Sequence, residues 1–318
     1  LKPAAHALFK KLKDEELELL VQAVESRGAW ESGCVWVPRG DPRGAKQALP
    51  PQVLLCRLYR WPDLRQPHEL KHLCYCQSAG GCGDAAALCC NPHHFSRLAA
   101  PGECPRSLRP RPHPPIPPRC PPASGPWAER WAQGLCSPPT DTSLSRSSVR
   151  DGYWCKLAYW EHRTRVGRLY AVHEASVNVF CELPRGSGFC LGQLPAAHRS
   201  QAVRRARGKI GRGLLLSREP GGVWAYNRSE HPIFVSSPTL GPPGARGLTI
   251  LKVLPGYSVK VFDYERVGGL AGWRHPGDGP CDPHSVRISF GKGWGPCYSR
   301  QFITSCPCWL EVLLTQPR

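Results

Sequence analysis

Cysteine and histidine residues crowd into positions 56–94 of the chain. The group consists of Cys56, Cys74, Cys76, Cys82, Cys89, Cys90, His93 and His94. A structural zinc ion takes four such ligands in a tetrahedral arrangement, and the pattern Cys-x-Asn-Pro-x-His from Cys89 to His94 supplies two of them from one turn. The other two are expected to be Cys56 and either Cys74 or Cys76. Buried thiols without metal, or disulfides in a secreted chain, are the alternatives.

A glycine-rich loop over residues 291–295, with the sequence GKGWG, is the second candidate site. Glycine lets the backbone approach a ligand closely. Lys292 and Arg300 add two cations, and Trp294 adds an apolar surface between them. A phosphate or a carboxylate could bind there. A tight surface turn with a solvated lysine is the alternative, and the loop lacks the residues of a nucleotide-binding P-loop.

The basic segment 196–210, AAHRSQAVRRARGKI, is predicted to be helical. Arg205 and Lys209 are four residues apart and share one helical face, while Arg204 and Arg207 share a neighbouring face. The segment contains no carboxylate, so these four cations repel one another and favour an anionic partner. A solvated basic surface is the alternative.

Three successive parts of the chain must position these residues. We expect a zinc-binding domain over 1–100, a proline-rich linker over 101–150 and an interaction domain over 151–318. In the first part, apolar spacing predicts a helix over 6–26, and the apolar run 53–58 is interpreted as a buried strand. Ten of the 22 residues from position 101 to 122 are proline, a composition that cannot build a core.

From residue 154 onward the pattern changes to short alternating strands separated by proline and glycine. Strands are predicted over 168–172, 176–183, 222–226, 232–235, 248–253 and 257–262. Pro255 and Gly256 are expected to join the last two as a hairpin. Many short strands at this spacing indicate a β-sandwich, so the whole chain is predicted to be a multidomain α+β protein.

The net charge of +18 over 318 residues indicates acidic partners such as nucleic acid, phosphoproteins or anionic membranes. No apolar run is long enough to cross a membrane, so membrane insertion is not expected. Several of the 17 cysteines, among them Cys155, Cys181 and Cys190, lie in apolar runs as buried free thiols do, which favours a reducing compartment. The absence of methionine indicates a partial or processed chain. No cysteine, histidine and acid follow the spacing of a catalytic triad, so an enzyme is not expected.

Two blocks of sequence resemble the Smad family. The sequence LCRLYRWPDL at 55–64, followed by CCNPHH at 89–94, resembles the first Mad-homology domain. The sequences AYWE, GSGFCLG, KGWG and SCPCW, between residues 154 and 309, resemble the second. The matches span 6–98 and 154–313. The segments 160–170 and 306–308 most resemble the inhibitory Smads, in particular the member associated with bone morphogenetic protein signalling.

The resemblance implies a fold, a metal site and a docking groove. The implied fold is a small zinc-containing α/β domain, a linker, and a β-sandwich flanked by a helical bundle and a loop-helix region. The implied zinc ligands are Cys56, Cys74, Cys89 and His94, with Cys76 as the alternative to Cys74. The implied docking groove for the phosphorylated type I receptor is lined by Arg205, Lys209, Lys292 and Arg300.

The resemblance also implies an inhibitory role. Receptor-regulated Smads end in Ser-Ser-x-Ser, whereas this chain ends in LLTQPR and offers no such acceptor. The expected protein is an adaptor of the cytoplasm and nucleus that binds activated type I receptor kinases and other Smads. It would compete with receptor-regulated Smads and so oppose signalling by bone morphogenetic protein and TGF-beta receptors.

Two departures from the family pattern bear on partners. The segment that matches the DNA-reading hairpin, RGDPRGAKQALPP at 39–51, contains prolines that disturb strand pairing. This argues against sequence-specific DNA binding, although Arg39, Arg43 and Lys46 could contact phosphates. The linker lacks the Pro-Pro-x-Tyr motif that recruits WW-domain ubiquitin ligases. A zinc-containing DNA-binding transcription regulator or corepressor, with transcriptional corepressors as partners, is the alternative function.

Overall fold

A computed structural model describes residues 1–29, 31–38, 49–80, 87–99, 152–183, 186–195, 198–241, 249–267 and 282–315. The expectations for Cys82, for the basic residues of segment 39–48 and for the linker lie outside the described residues. Leu1–Cys104 and Tyr153–Arg318 form one compact unit. The predicted zinc-binding and interaction domains can therefore be described together.

The described residues contain four α-helices: α1 (Lys2–Phe9), α2 (Asp14–Ser26), α3 (Pro51–Tyr59) and α4 (Gln201–Arg207). The single helix predicted over 6–26 is therefore two helices. The chain turns between them because Asp14, Glu15 and Glu16 start a new helix, where negative charge is favourable at the N-terminus. None of the four has both the length and the apolar character needed to cross a bilayer.

The strand predicted over 53–58 is wrong, because this run lies inside α3. Short apolar runs do not distinguish a buried strand from a buried helix by periodicity. A proline sits in the first turn of α3, where its missing N–H costs nothing. The helix buries Val53, Leu54, Leu55 and Cys56 completely or nearly so.

Fifteen strands lie within the described residues, in the order β1 Trp36–Pro38, β2 Leu70–His72, β3 Ala87–Cys89, β4 Phe95–Leu98, β5 Cys155–Glu161, β6 Thr164–Val172, β7 Ser176–Phe180, β8 Gly188–Cys190, β9 Leu214–Glu219, β10 Gly222–Asn227, β11 Ile233–Ser236, β12 Leu251–Val253, β13 Tyr257–Asp263, β14 Ser285–Phe290 and β15 Trp309–Leu314. They form a small β1–β3 sheet and two large sheets. One large sheet has the order β12-β11-β14-β15-β5-β6, and the other has the order β2-β4-β13-β10-β9-β7-β8.

The two large sheets enclose a common hydrophobic core, which confirms the predicted β-sandwich. Leu157 and Val312 from the six-stranded sheet meet Val179, Leu216 and Val261 from the seven-stranded sheet, and all five are buried. The resemblance implies a helical bundle beside the sandwich, and α4 is the helix at that place within the described residues. This helix packs Val203 and Ala206 into the same core.

The hairpin predicted at Pro255 and Gly256 is wrong, because the two strands belong to different sheets. β12 pairs with β11, whereas β13 pairs with β10 and β4. Asn227, at the end of β10, stabilises the crossing. Its side chain donates to the Val253 carbonyl at 3.0 Å, and its carbonyl accepts from Gly256 N–H at 2.8 Å. The turn therefore carries the chain from one sheet to the other.

Strands of the N-terminal part extend the seven-stranded sheet of the C-terminal part. β4 pairs in parallel with β13, and β2 adds outside β4. Lys71 on β2 forms a 2.8 Å salt bridge with Glu219 on β9 and lies over the Trp224 ring. Arg60 donates to the Tyr226 hydroxyl at 3.0 Å. The two parts thus share one continuous sheet.

Candidate metal centre and basic groove

Four soft ligands meet in the N-terminal part: Cys34, Cys76, Cys89 and His94. Cys34 precedes β1 and Cys89 ends β3, and these two strands pair. Cys76 follows β2, and His94 ends the short 3-10 turn Pro92–His94. All four side chains are buried, and their ligand atoms lie within 4.8 Å of one another.

The spacing of these atoms suits a tetrahedral metal ion. His94 Nδ1 lies 3.4 Å from Cys34 Sγ and 3.5 Å from Cys89 Sγ, and the Cys34 and Cys76 sulfurs are 4.0 Å apart. Zinc with bonds of about 2.3 Å to sulfur and about 2.0 Å to nitrogen would place its ligand atoms at similar separations. This group could hold a metal ion.

Neighbouring polar groups orient His94 and fix the loop that carries Cys34. His94 Nε2 lies 2.8 Å from the Ser32 carbonyl, and a proton on Nε2 leaves Nδ1 free to bind a metal. Hydrogen bonds among the three thiols lower the pKa of the Cys76 thiol and raise the pKa of the Cys89 thiol. Asn91 donates to Ser32 Oγ and to the Gly33 carbonyl, which fixes the loop before β1.

Two of the four sequence-predicted ligands lie outside this group. Cys56 faces the core with Trp61 and Phe95, because α3 is a helix rather than a strand. Burial raises the pKa of the Cys56 thiol to about 12, so it remains a protonated thiol. Cys74 is exposed. The group thus contains Cys89 and His94 from the predicted set, Cys76 as the stated alternative to Cys74, and Cys34 in place of Cys56.

The second site lies where α4 meets the glycine-rich loop after β14. A side-chain carbon added to Gly291 would lie 3.2 Å from Lys209 Cδ, so the lysine stem rests against the loop backbone. Lys292 follows directly. Gly295 N–H donates to the Arg300 carbonyl at 2.7 Å, which folds the chain back beside the loop. Lys209 and Lys292 are thus brought together from positions 83 residues apart in sequence.

The loop is rigid because its aromatic residues are packed. Trp294 is fully buried with Phe234 and Trp309, so it is part of a core and not the binding surface that its sequence position suggested. A side-chain carbon on Gly293 would lie 2.5 Å from the Tyr298 ring, so only glycine fits there. The packed indole fixes the loop that carries Lys292.

Glu161, which sequence reasoning missed, anchors α4. It ends β5 and is 8% exposed. Arg199 Nε donates to its carboxylate at 2.8 Å and Arg207 Nη1 at 3.2 Å. Arg207 also donates to the Leu191 carbonyl at 2.8 Å. Arg207 is therefore a structural cation. This corrects the expectation that Arg204, Arg205, Arg207 and Lys209 all lack a carboxylate beside them.

We predict that Glu161→Gln destabilises the fold. The substitution leaves two poorly exposed guanidinium groups without their counter-charge, and the expected loss is on the order of 3 kcal/mol in the free energy of unfolding. Chemical denaturation would measure it. Glu174→Gln, at an exposed position, is the matched control and should change little. Equal stability of the two variants would contradict the anchoring role.

The four cations predicted for the docking groove take part in no salt bridge with the residues that the structure describes. Arg205 is exposed on α4, and Lys209, Lys292 and Arg300 are half-buried. Their positive charge is therefore available to an anion. We use the name basic groove for the surface that these four residues are predicted to form.

Comparisons with known proteins agree with this architecture. The MH1 domain profile matches residues 1–99, and the MH2 domain profile matches residues 152–315. The chain is 55% identical over 330 residues to "Mothers against decapentaplegic homolog 6" of Gallus gallus, covering 100% of this chain and 76% of that protein. It is 46% identical over 340 residues to "Mothers against decapentaplegic homolog 7" of Homo sapiens, covering 98% and 78%.

Among solved structures, the Interferon Regulatory Factor 9 IAD domain is 18% identical, with a TM-score of 0.37, covering 54% of this chain and 87% of that one. The assignment rests instead on the two domain profiles and on the relatives that align along nearly the whole chain. The chain belongs to the Smad family and, within it, to the inhibitory Smads.

Proposed function

We propose that this protein is an inhibitory adaptor that binds phosphorylated type I receptor kinases and competes with receptor-regulated Smads for them. Signalling by bone morphogenetic protein and TGF-beta receptors would then be reduced. The observation that carries this proposal is the basic groove, in which α4 and the glycine-rich loop present cations with no described carboxylate beside them.

The chemistry of the groove suits a phosphorylated segment. A phosphoserine carries about −1.5 to −2 charges and three acceptor oxygens, and lysine and arginine bind it through charge-assisted hydrogen bonds. The contact between Lys209 and the Gly291 backbone supports a single binding surface that spans both elements. Because the loop is fixed by its buried tryptophan, little ordering is needed when the ligand binds.

A zinc ion in the group Cys34, Cys76, Cys89 and His94 has a structural role in this proposal. The four residues fill a tetrahedral shell and leave no position for a substrate or a water molecule. The ion would hold β1, β3 and the turn before β4 in place. The adaptor is accordingly proposed to act by binding and not by catalysis.

The deciding experiment is affinity capture of this protein with an activated type I receptor kinase domain as bait, in phosphorylated and unphosphorylated forms. We expect at least about tenfold more capture by the phosphorylated form, because only it supplies the anion. Equal capture by both forms would contradict the proposal. Equal capture combined with salt-sensitive binding that discriminates between DNA sequences would favour the transcription regulator instead.

A further inference from the structure

The two-residue turn between β5 and β6 lies at the border of the basic groove. His162 and Arg163 form this turn, and Glu161 pairs with Thr164 across it. His162 has a φ of +55°, which is uncommon for a residue with a side chain. Hydrogen bonds hold it on both sides: its N–H donates to the Pro307 carbonyl at 3.3 Å, and its carbonyl accepts from Trp309 Nε1 at 2.8 Å.

These contacts connect the turn to both walls of the groove. Pro307 follows Cys306, whose thiol donates to the Lys292 carbonyl at 3.7 Å. On the other side, Glu161 directly precedes the turn and pairs with Arg207 of α4. Arg163 is therefore connected to the glycine-rich loop through Pro307 and Cys306, and to α4 through Glu161.

Two cations of this turn region are exposed and carry no described counter-charge. Arg163 lies in the turn and Arg165 lies on β6, the edge strand of its sheet. Arg165 pairs across the sheet with Trp160, which stacks on Trp309 at 5.1 Å. Arg165 and the glycine-rich loop thus lie on the same face of the sheet. No described carboxylate forms a salt bridge with either arginine, unlike the neighbouring Arg207.

We propose that Arg163 and Arg165 form a second anion subsite, which binds a second phosphate on the same extended segment that occupies the basic groove. This inference rests on the proposed function and narrows its ligand to a segment with two phosphates. The contact path from Lys292 through Cys306 and Pro307 to Arg163 is at most roughly 24 Å long, and an extended chain advances about 3.3–3.6 Å per residue. Phosphates up to about seven residues apart can therefore reach both subsites. A second copy of this chain is disfavoured as the occupant, because pairing β6 with β6 would bring arginines together.

The test compares phosphopeptides on the full chain at physiological ionic strength. Three serine peptides are used: one with a single phosphate, one with two phosphates five residues apart, and one with two phosphates two residues apart. We expect the five-residue spacing to bind about tenfold more tightly than the single phosphate, and the two-residue spacing to add less. In the double variant Arg163→Glu, Arg165→Glu this gain should be lost, while binding of the singly phosphorylated peptide changes less than about threefold.

A charge-matched control separates the subsite from net charge. Arg218→Glu with Lys10→Glu reverses two exposed cations elsewhere and should keep the gain. The subsite is refuted if the wild type gains nothing from the second phosphate, if the Arg163 and Arg165 variant keeps the gain, or if the control loses it equally. If receptor capture still depends on phosphorylation in those cases, the proposed function survives. If the wild type binds none of the phosphopeptides, both fail.

Discussion

Reversing the charge of Arg205 and Lys209 together, as Arg205→Glu and Lys209→Glu, is expected to abolish binding to the phosphorylated type I receptor. Each hydrogen bond to a charged group contributes about 1.5–3 kcal/mol, and 1.4 kcal/mol corresponds to a tenfold change in affinity. Losing two such contacts and adding repulsion should therefore weaken binding at least about a hundredfold. Pull-down or calorimetric titration with the phosphorylated receptor would measure it.

The fold should survive this double substitution. Arg205 is exposed and Lys209 only rests its stem on the loop, whereas the side chains that anchor α4 are Arg207, Val203 and Ala206. A thermal unfolding midpoint within a few degrees of the wild type is the check. The charge-matched variant Arg218→Glu, Lys10→Glu should retain binding. Unchanged receptor binding by the Arg205 and Lys209 variant would sink the assignment of the groove.

Replacing Cys34 by serine is expected to remove the metal and unfold the N-terminal part. A structural zinc ion contributes on the order of 10 kcal/mol to a small domain, and a serine hydroxyl is a poor substitute for a thiolate. Protein purified with zinc should carry about one ion per chain when wild type and close to none when Cys34→Ser. Elemental analysis would measure the ion content, and thermal unfolding would measure the stability.

Cys74→Ser is the matched control for this prediction. Cys74 lies two residues from Cys76 in sequence, but its side chain is exposed and outside the ligand group. We expect Cys74→Ser to keep both the metal and the stability. Loss of metal in Cys74→Ser together with retention in Cys34→Ser would show that the ligand set is assigned incorrectly.

Local sequence motifs predict only part of the ligand set. Cys89 and His94 could be found because they share one turn, which a short motif describes. Cys34 could not, because it reaches the group only through the pairing of β1 with β3, a contact between positions more than fifty residues apart. Cys56 lies outside the group because the run 53–58 is a helix, and a run this short with five apolar residues out of six does not distinguish a helix from a strand.

The sequence also identifies the cations of the basic groove without showing which of them lie in contact. The cations of the basic segment and of the glycine-rich loop are visible in the sequence, and family resemblance suggested that they act together. Their contact depends on tertiary packing of Lys209 against Gly291. The role of Glu161 could not be predicted for a similar reason. Its position at the end of an apolar strand does not indicate that it forms salt bridges with Arg199 and Arg207.

The shared sheet links the metal-site group to the C-terminal part thermodynamically. The ligand group brackets β2 and β4, with Cys76 just after β2 and His94 just before β4, and these strands extend the sheet through β13. An ion that binds only when its four ligands are gathered must stabilise this extension. By reciprocity, the extension must raise affinity for the ion by the same factor. Metal affinity measured on the whole chain therefore depends, in part, on the free energy of pairing between β4 of the N-terminal part and β13 of the C-terminal part.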